Sequence, residues 1–148
     1  MSEPIAYRKQ AHSIYYTQYH LVFVTKYRRK ILKQGMGAYL MATIKNILNT
    51  QPDIELIEMN TDEDHIHLLL VIPPKYAVSD IVRTLKSNSA KAMRTQFPFL
   101  SHMYENDKMG IWSDGYFVST VGVNRNTIEK YIEQQGKEDK GQTKFVWV

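Results

Sequence analysis

The segment Asp64-His65-Ile66-His67-Leu68-Leu69-Leu70-Val71-Ile72 constrains this chain more than any other. It is apolar, rich in branched side chains and stopped by Pro73-Pro74, so it reads as a buried strand. Side chains alternate across a strand. Ile66, Leu68, Leu70 and Ile72 are therefore expected to enter a core, while His65 and His67 emerge together on the opposite face. Two neutral imidazoles at that spacing make a cradle for a divalent metal ion, with one further ligand needed and positions left open for a substrate. The same pattern also suits two hydrogen-bonded histidines that only cap the polar end of a strand. Leu69 and Val71 share the histidine face, so a further element or a second subunit must cover it.

The periodicity on either side places this strand in an order of elements. Residues 19–26 are β-branched and aromatic, a first strand, and the basic cluster Lys26, Arg28, Arg29 and Lys30 follows it. Leu40, Ile44 and Ile47/Leu48 recur at helical spacing and predict a first helix over 36–49. Residues 54–59 form a second strand, joined to the histidine strand by the polar turn of 60–64. A second helix over 78–97 has Ile81, Val82, Leu85, Ala92 and Met93 on one side and Arg83, Lys86, Lys91 and Arg94 on the other; Pro98 stops it. Ile111-Trp112 and residues 116–121 predict a fourth strand interrupted at Asp114-Gly115. Asn124 or Asn126 caps a third helix that runs to Gln135, where Gly136 ends it. The order is β-α-β-β-α-β plus a C-terminal helix. That predicts an α+β, ferredoxin-like fold: an antiparallel four-stranded sheet with helices on one face.

Composition narrows the class. A chain of 148 residues with 43% hydrophobic and 23% charged residues is expected to form one globular domain spanning 1–148, with a core over about 15–136 and a tail over 137–148. With Cys 0 there is no disulfide framework and no thiolate zinc site. Met1-Ser2-Glu3-Pro4 lacks a signal pattern and no apolar run reaches membrane-spanning length, so the cytoplasm is the expected compartment. The net charge of +4 is unevenly spread. Asp53, Glu55, Glu58, Asp62, Glu63 and Asp64 have no base among them between residues 51 and 74, whereas 1–50 and 75–98 are net basic. A segregated basic surface beside a metal site suits a polyanion, although each run could simply be solvated.

On the third helix Ile128, Tyr131, Ile132 and Gln135 share one face. Tyr131 and Gln135 are neighbours one turn apart, their β-carbons about 5–6 Å from each other. A tyrosine on such a stripe is ordinarily a packing residue.

Five segments occur in order: Tyr19-His20-Leu21-Val22, Lys26-Tyr27-Arg28-Arg29, Asp64-His65-Ile66-His67-Leu68-Leu69-Leu70, Leu85-Lys86-Ser87-Asn88-Ser89-Ala90-Lys91 and Glu129-Lys130-Tyr131-Ile132-Glu133-Gln134-Gln135. This set closely resembles the single-tyrosine, His-hydrophobic-His (HUH) transposases of the smallest bacterial and archaeal insertion sequences, the IS-two-hundred group. The resemblance spans residues 19–135; the segments before Tyr15 and after Gly136 carry no match. It implies a homodimeric, metal-dependent single-stranded DNA endonuclease and strand transferase acting at hairpin-flanked element ends. Carried over, His65, His67 and Gln135 would hold Mg²⁺ or Mn²⁺, and Tyr131 would be the nucleophile that forms a 5′-phosphotyrosine. Arg28, Arg29, Lys30, Arg83, Lys86, Ser87, Lys91 and Arg94 are the expected DNA contacts. One nucleophile per chain holds one covalent end, so rejoining two ends calls for two sites acting together. Gly122 and Gly136 either let the tyrosine helix swing between subunits or are ordinary caps.

Three other readings stay open on the residues alone. One is a domesticated recombinase of the same superfamily acting on repeated palindromes. Another is a non-catalytic single-stranded nucleic-acid binder, although His65 and His67 stand where stacking rings would be wanted. The third is a metal-dependent hydrolase without a covalent intermediate, for which Asp62-Glu63-Asp64 would supply the base.

Overall fold

The structure, a computed structural model, describes residues 7–105, 110–120 and 124–141. The chain opens with a short hairpin, β1 (Arg8–Gln10) and β2 (Ser13–Tyr15), which forms a two-stranded sheet of its own. Next come β3 (Gln18–Val24), a 3₁₀ turn at Lys26–Arg28, α1 (Gly35–Asn49), β4 (Glu55–Thr61) and β5 (His65–Val71). The remaining elements are α2 (Val78–Gln96), the short α3 (Phe99–Met103), β6 (Phe117–Ser119) and α4 (Arg125–Asp139). The four-stranded sheet has the order β4-β5-β3-β6 with every neighbouring pair antiparallel. Setting the first hairpin aside, this is the ferredoxin-like arrangement that the element order predicts.

The core lies between one face of this sheet and the helices α1 and α2. Leu21 and Phe23 of β3 and Ile66, Leu68 and Leu70 of β5 meet Leu40 and Ile44 of α1 and Leu85 and Met93 of α2 in one buried cluster. A second, smaller cluster on the opposite face joins Val22 and Val24 to Ile128 and Ile132 of α4. Because β3 is covered on both faces, Leu21, Val22, Phe23 and Val24 are all buried, and the strand reads as a continuous apolar run. The third helix is thus the cover for part of the histidine face. Val71 is also buried within its own chain, which leaves Leu69, half-buried, as the apolar residue of that face still open to a partner.

Several boundaries differ from the sequence expectation. The fourth strand is only Phe117–Ser119, while Trp112 makes a single bridge to Thr25; Val121 and Gly122 lie outside the described residues. Pinning of segment 111–113 to 24–26 by backbone hydrogen bonds replaces the longer strand: Lys26 N–H donates to Ile111 O at 2.8 Å, and Ser113 N–H to Val24 O at 2.9 Å. Gly136 does not end α4, which continues to Asp139 and so takes in the start of the expected tail. The glycine is there for closeness: a Cβ at Gly136 would stand 2.5 Å from Cδ of Arg28. Neither the N-terminal hairpin nor α3 is signalled by a periodic run long enough to read.

Lys86 corrects the expected basic face of α2. It is buried, and its ammonium donates to the carbonyls of Ser113 at 2.6 Å and Gly115 at 2.7 Å. Burial lowers this amine to about 8. Val82, Lys86, Ser89 and Met93 follow one another at i, i+4, i+7 and i+11 and are all buried. That spacing was the sequence signal for an inward lysine. Among the described residues no helix is long and apolar enough to cross a membrane.

Candidate active site

His65 and His67 emerge from β5 on the face turned away from the main core, as strand alternation requires, and their rings stand 4.7 Å apart at a steep tilt. Across the sheet His67 pairs with Val22 on β3 and with Asn60 on β4, and His65 pairs with Val24. His20 stands on the same face one step further along β3, opposite Leu69. An open hollow over this face is lined by His20, His65, His67, Glu58, Asn60 and Asp62, among others. A continuation of it runs under α4, bordered by Asp62, His65, His67, Arg125, Ile128 and Glu129. Sequence reasoning weighed Asp62 only as a base for a hydrolase and did not single out His20 as a site residue. The strand register is what brings both to the pair.

Asp64 fixes one of the two rings. Its carboxylate lies 2.7 Å from Nδ1 of His65 and receives Nε–H of Arg28 at 3.2 Å. Burial opposes the charge on Asp64, but the hydrogen bonds from His65 and Arg28 outweigh it and hold the carboxyl below its ordinary range. An ionised Asp64 accepts, so Nδ1 of His65 carries a proton, and Nε2 is the ring nitrogen left for a metal ion. Burial, reinforced by the neighbouring His65, lowers His67 and favours its neutral form. Two imidazoles side by side over an open hollow are a donor set that fits a divalent ion. Among the described residues no third His, Cys, Asp or Glu joins them in a metal-holding group.

Helix α4 starts with Asn124, whose side chain accepts from the N–H of Asn126 at 2.7 Å. The expected stripe packs inward: Ile128, Ile132 and Gln135 are buried and Tyr131 is half-buried. Toward β5 the helix presents Ile128, Glu129 and Ile132 to the hollows that border the histidines. Tyr131 leans the other way, with its ring centroid 5.8 Å from that of Phe117 on β6. Neither Tyr131 nor Gln135 lines the three hollows bordered by His65. Burial pushes the Tyr131 phenol above its usual range, with Glu138 and Asp139 adding to the effect. Within one chain, then, the histidines border the hollows, while Tyr131 packs toward Phe117 of β6 and Gln135 is buried on α4.

The expected DNA contacts divide similarly. Arg83, Ser87 and Lys91 are exposed on α2 and Arg94 is half-buried, whereas Lys86 is inside. Arg83 pairs with Asp80 at 3.1 Å on the surface, and Ser87 donates to the carbonyl of Arg83. Of the earlier cluster, Arg28 holds Asp64, Arg29 donates to Met103 O at 2.9 Å and lies over the rings of Tyr27 and Tyr104, and Lys30 stands 3.8 Å from Glu63.

Residues 13–135 match the family described as IS200-like transposases. The chain belongs to that family. It is 38% identical over 130 residues to the transposase for insertion sequence element IS200 of Salmonella typhimurium, a match covering 88% of this chain and 84% of that protein. To the ISDra2 transposase TnpA of Deinococcus radiodurans it is 34% identical over 133 residues, covering 89% and 93% of the two chains. A Deinococcus radiodurans protein assigned as a transposase, crystallised at 1.90 Å resolution, is similar in structure with a TM-score of 0.78 and 33% identity, covering 86% of this chain and 97% of that one. A tyrosine transposase bound to a REP hairpin shares the fold at a TM-score of 0.51 and 16% identity, covering 90% and 70%. The IS200-like assignment makes the chain a transposase and a DNA-processing enzyme. The sheet face with its paired histidines and the helix with its tyrosine are the two parts of this transposase whose chemistry has to be accounted for.

Proposed function

We propose that this transposase cleaves and rejoins single-stranded DNA at hairpin-flanked ends of a mobile element, with Tyr131 as nucleophile and His65 and His67 as ligands of a Mg²⁺ or Mn²⁺ ion. The observation that carries the reading is the histidine pair, one ring held by Asp64, facing an open hollow beside the tyrosine helix. Bound there, the ion would withdraw charge from the scissile phosphate and hold it in line. The Tyr131 oxygen attacks phosphorus, the bond to the 3′ oxygen breaks, and the proton lost by the phenol is balanced by the one that the leaving 3′-OH gains. The product is a 5′-phosphotyrosine and a free 3′-OH. A phenolate is a better leaving group than an alkoxide, so a 3′-OH can reverse the step with no external energy source.

The packing of Tyr131 against Phe117, with neither Tyr131 nor Gln135 lining the hollows of the histidines, supports a homodimer as the working unit. Tyr131 and Gln135 would reach a histidine pair across the dimer with α4 seated as it is, or within their own subunit once the helix moves. Gln135 would then supply the third ligand. Leu69 on the histidine face is the apolar residue a partner would cover. Labelled single-stranded element ends with Mg²⁺, run on a denaturing gel, test the reading. A protein–DNA adduct that resists denaturation supports it, and cleavage with no adduct at any time would overturn it in favour of direct hydrolysis.

A further inference from the structure

The last turn of α4 ends in a buried polar seat that the chemistry above does not use. The side chain of Asp139 is only 2% exposed. Its carboxylate accepts the backbone N–H of Tyr27 at 2.9 Å and a hydrogen bond from the Ser113 hydroxyl, and it stands 3.6 Å from the ammonium of Lys26. These partners come from two separate segments, so one carboxylate ties α4 to both. Tyr27 is left-handed at φ 61 and Arg28 follows it at φ 52, a backbone that non-glycine residues adopt only when their surroundings hold them there. The other wall is braced from behind, because Lys86 grips the carbonyls of Ser113 and Gly115 from α2. One turn back along α4, bare Gly136 lies against the Arg28 stem, and that same Arg28 holds Asp64 and through it His65.

We propose that Asp139 is a positioning residue for Tyr131: its carboxylate locks the tyrosine helix into the socket of Tyr27, Ser113 and Lys26, and so sets where the nucleophile stands relative to the histidines. The inference rests on the reading of Tyr131 as nucleophile, eight positions earlier on the same helix. A buried carboxylate with two hydrogen-bond donors and an ion-pair partner from elsewhere in the fold resists sliding and rotation of the helix in a way that Ile128 and Ile132, packed on two valines, do not. Lys86, buried instead of facing DNA, is part of the same seat.

The chain has Cys 0, so cysteines introduced at exposed Lys45 of α1 and Lys137 of α4 take spin labels uniquely. With labelled chains diluted into unlabelled ones and no DNA present, the seated helix should give one narrow distance distribution. Asp139→Ala should broaden or shift it while circular dichroism stays native. The rate of adduct formation at saturating DNA should fall about ten- to hundredfold, the scale of a misplaced reacting group, with DNA affinity unchanged. If Asp139→Ala does not fold, Ser113→Ala gives the same readouts at smaller amplitude. An unchanged distance distribution, or a broadened one with an unchanged rate, overturns the proposal. Failure of the nucleophile reading looks different: a Tyr131→Phe chain would still form adduct, while the DNA-free distances would still report whether Asp139 seats the helix.

Discussion

Strand β5 and helix α4, which hold the two halves of the proposed site, are built on opposite principles. β5 is paired along its length to β3 on one side and to β4 on the other, and its inward residues Ile66, Leu68 and Leu70 are in the core. The histidines inherit that rigidity; moving them means moving the sheet. α4 touches the sheet through a small apolar cluster of Val22, Val24, Ile128 and Ile132 and is otherwise held by the Asp139 seat and the Gly136–Arg28 contact. A phosphate-binding pair benefits from a fixed frame. A nucleophile that must serve both cleavage and rejoining benefits from a helix that can be placed in more than one way. The contrast teaches that the histidine face is part of the fold, whereas the tyrosine helix is docked onto it.

The sharpest way to break that division is Tyr131→Phe, which keeps the ring against Phe117 and removes the oxygen. Cleavage should fall by roughly 10³-fold or more, with single-stranded DNA binding nearly unchanged in a gel-shift titration. A surviving adduct would move the nucleophile elsewhere, Tyr116 being the next tyrosine to try. Nearly as large is the effect of taking away the histidines. His65→Ala and His67→Ala should each abolish metal-dependent cleavage, as should excess chelator on the unaltered chain. Gln135→Ala should weaken cleavage less, since an amide is the poorest of the three ligands. Full activity in EDTA would return the pair to a structural role.

Mixing Tyr131→Phe chains with His67→Ala chains sharpens the comparison further. If α4 serves the partner's histidines, the mixed dimer holds one complete site and cleavage should recover to a fraction of the unaltered level. If each site is built within one chain, both halves stay dead. Light scattering that finds only a monomer with full rejoining activity would remove the dimer altogether.

Smaller effects separate the basic surface from its buried member. Lys86→Ala leaves two carbonyls without a donor and should cost about 1–3 kcal/mol of stability, read as a lower midpoint in urea. Arg83→Ala and Lys91→Ala should leave stability unchanged and each reduce the salt slope of DNA binding by about one unit. A wild-type slope in both would mean that this face is only solvated. The smallest expected change is in Gly136→Ala. An alanine normally gains about 1 kcal/mol over glycine inside a helix, but here its Cβ meets the Arg28 stem, so the thermal midpoint should not rise.

Much of this protein was legible in its residues because local periodicity and burial coincide. The alternation in 64–72 gave the histidine face and the core face correctly, since a strand leaves a side chain only two directions. The second helix was read almost to its ends, because Ile81, Leu85 and Met93 repeat and Pro98 stops it. Lys86 was misplaced because a charged residue was assumed to face water. Its true environment is set by Ser113 and Gly115, some thirty positions on, whose carbonyls no periodicity in α2 can announce. Gly136 was misread as a stop because glycine is ambiguous between a cap and a close approach; only the arrival of Arg28 from the far end of the chain decides between them.

By itself the sequence determined the order of the elements, the pairing of His65 with His67 on one face, the stripe carrying Tyr131 and Gln135, and the family. Each of these depends on residues near one another in the chain, whose geometry is fixed by a strand's period of two or a helix's period of 3.6. The tertiary structure decided which face of the sheet α4 covers, that Tyr131 leans toward Phe117, and that the Asp139 carboxylate meets Tyr27, Ser113 and Lys26. Those outcomes depend on contacts between separate segments, some of them more than a hundred residues apart. Such contacts are set by how whole surfaces pack and how buried charges find donors, which no local pattern encodes.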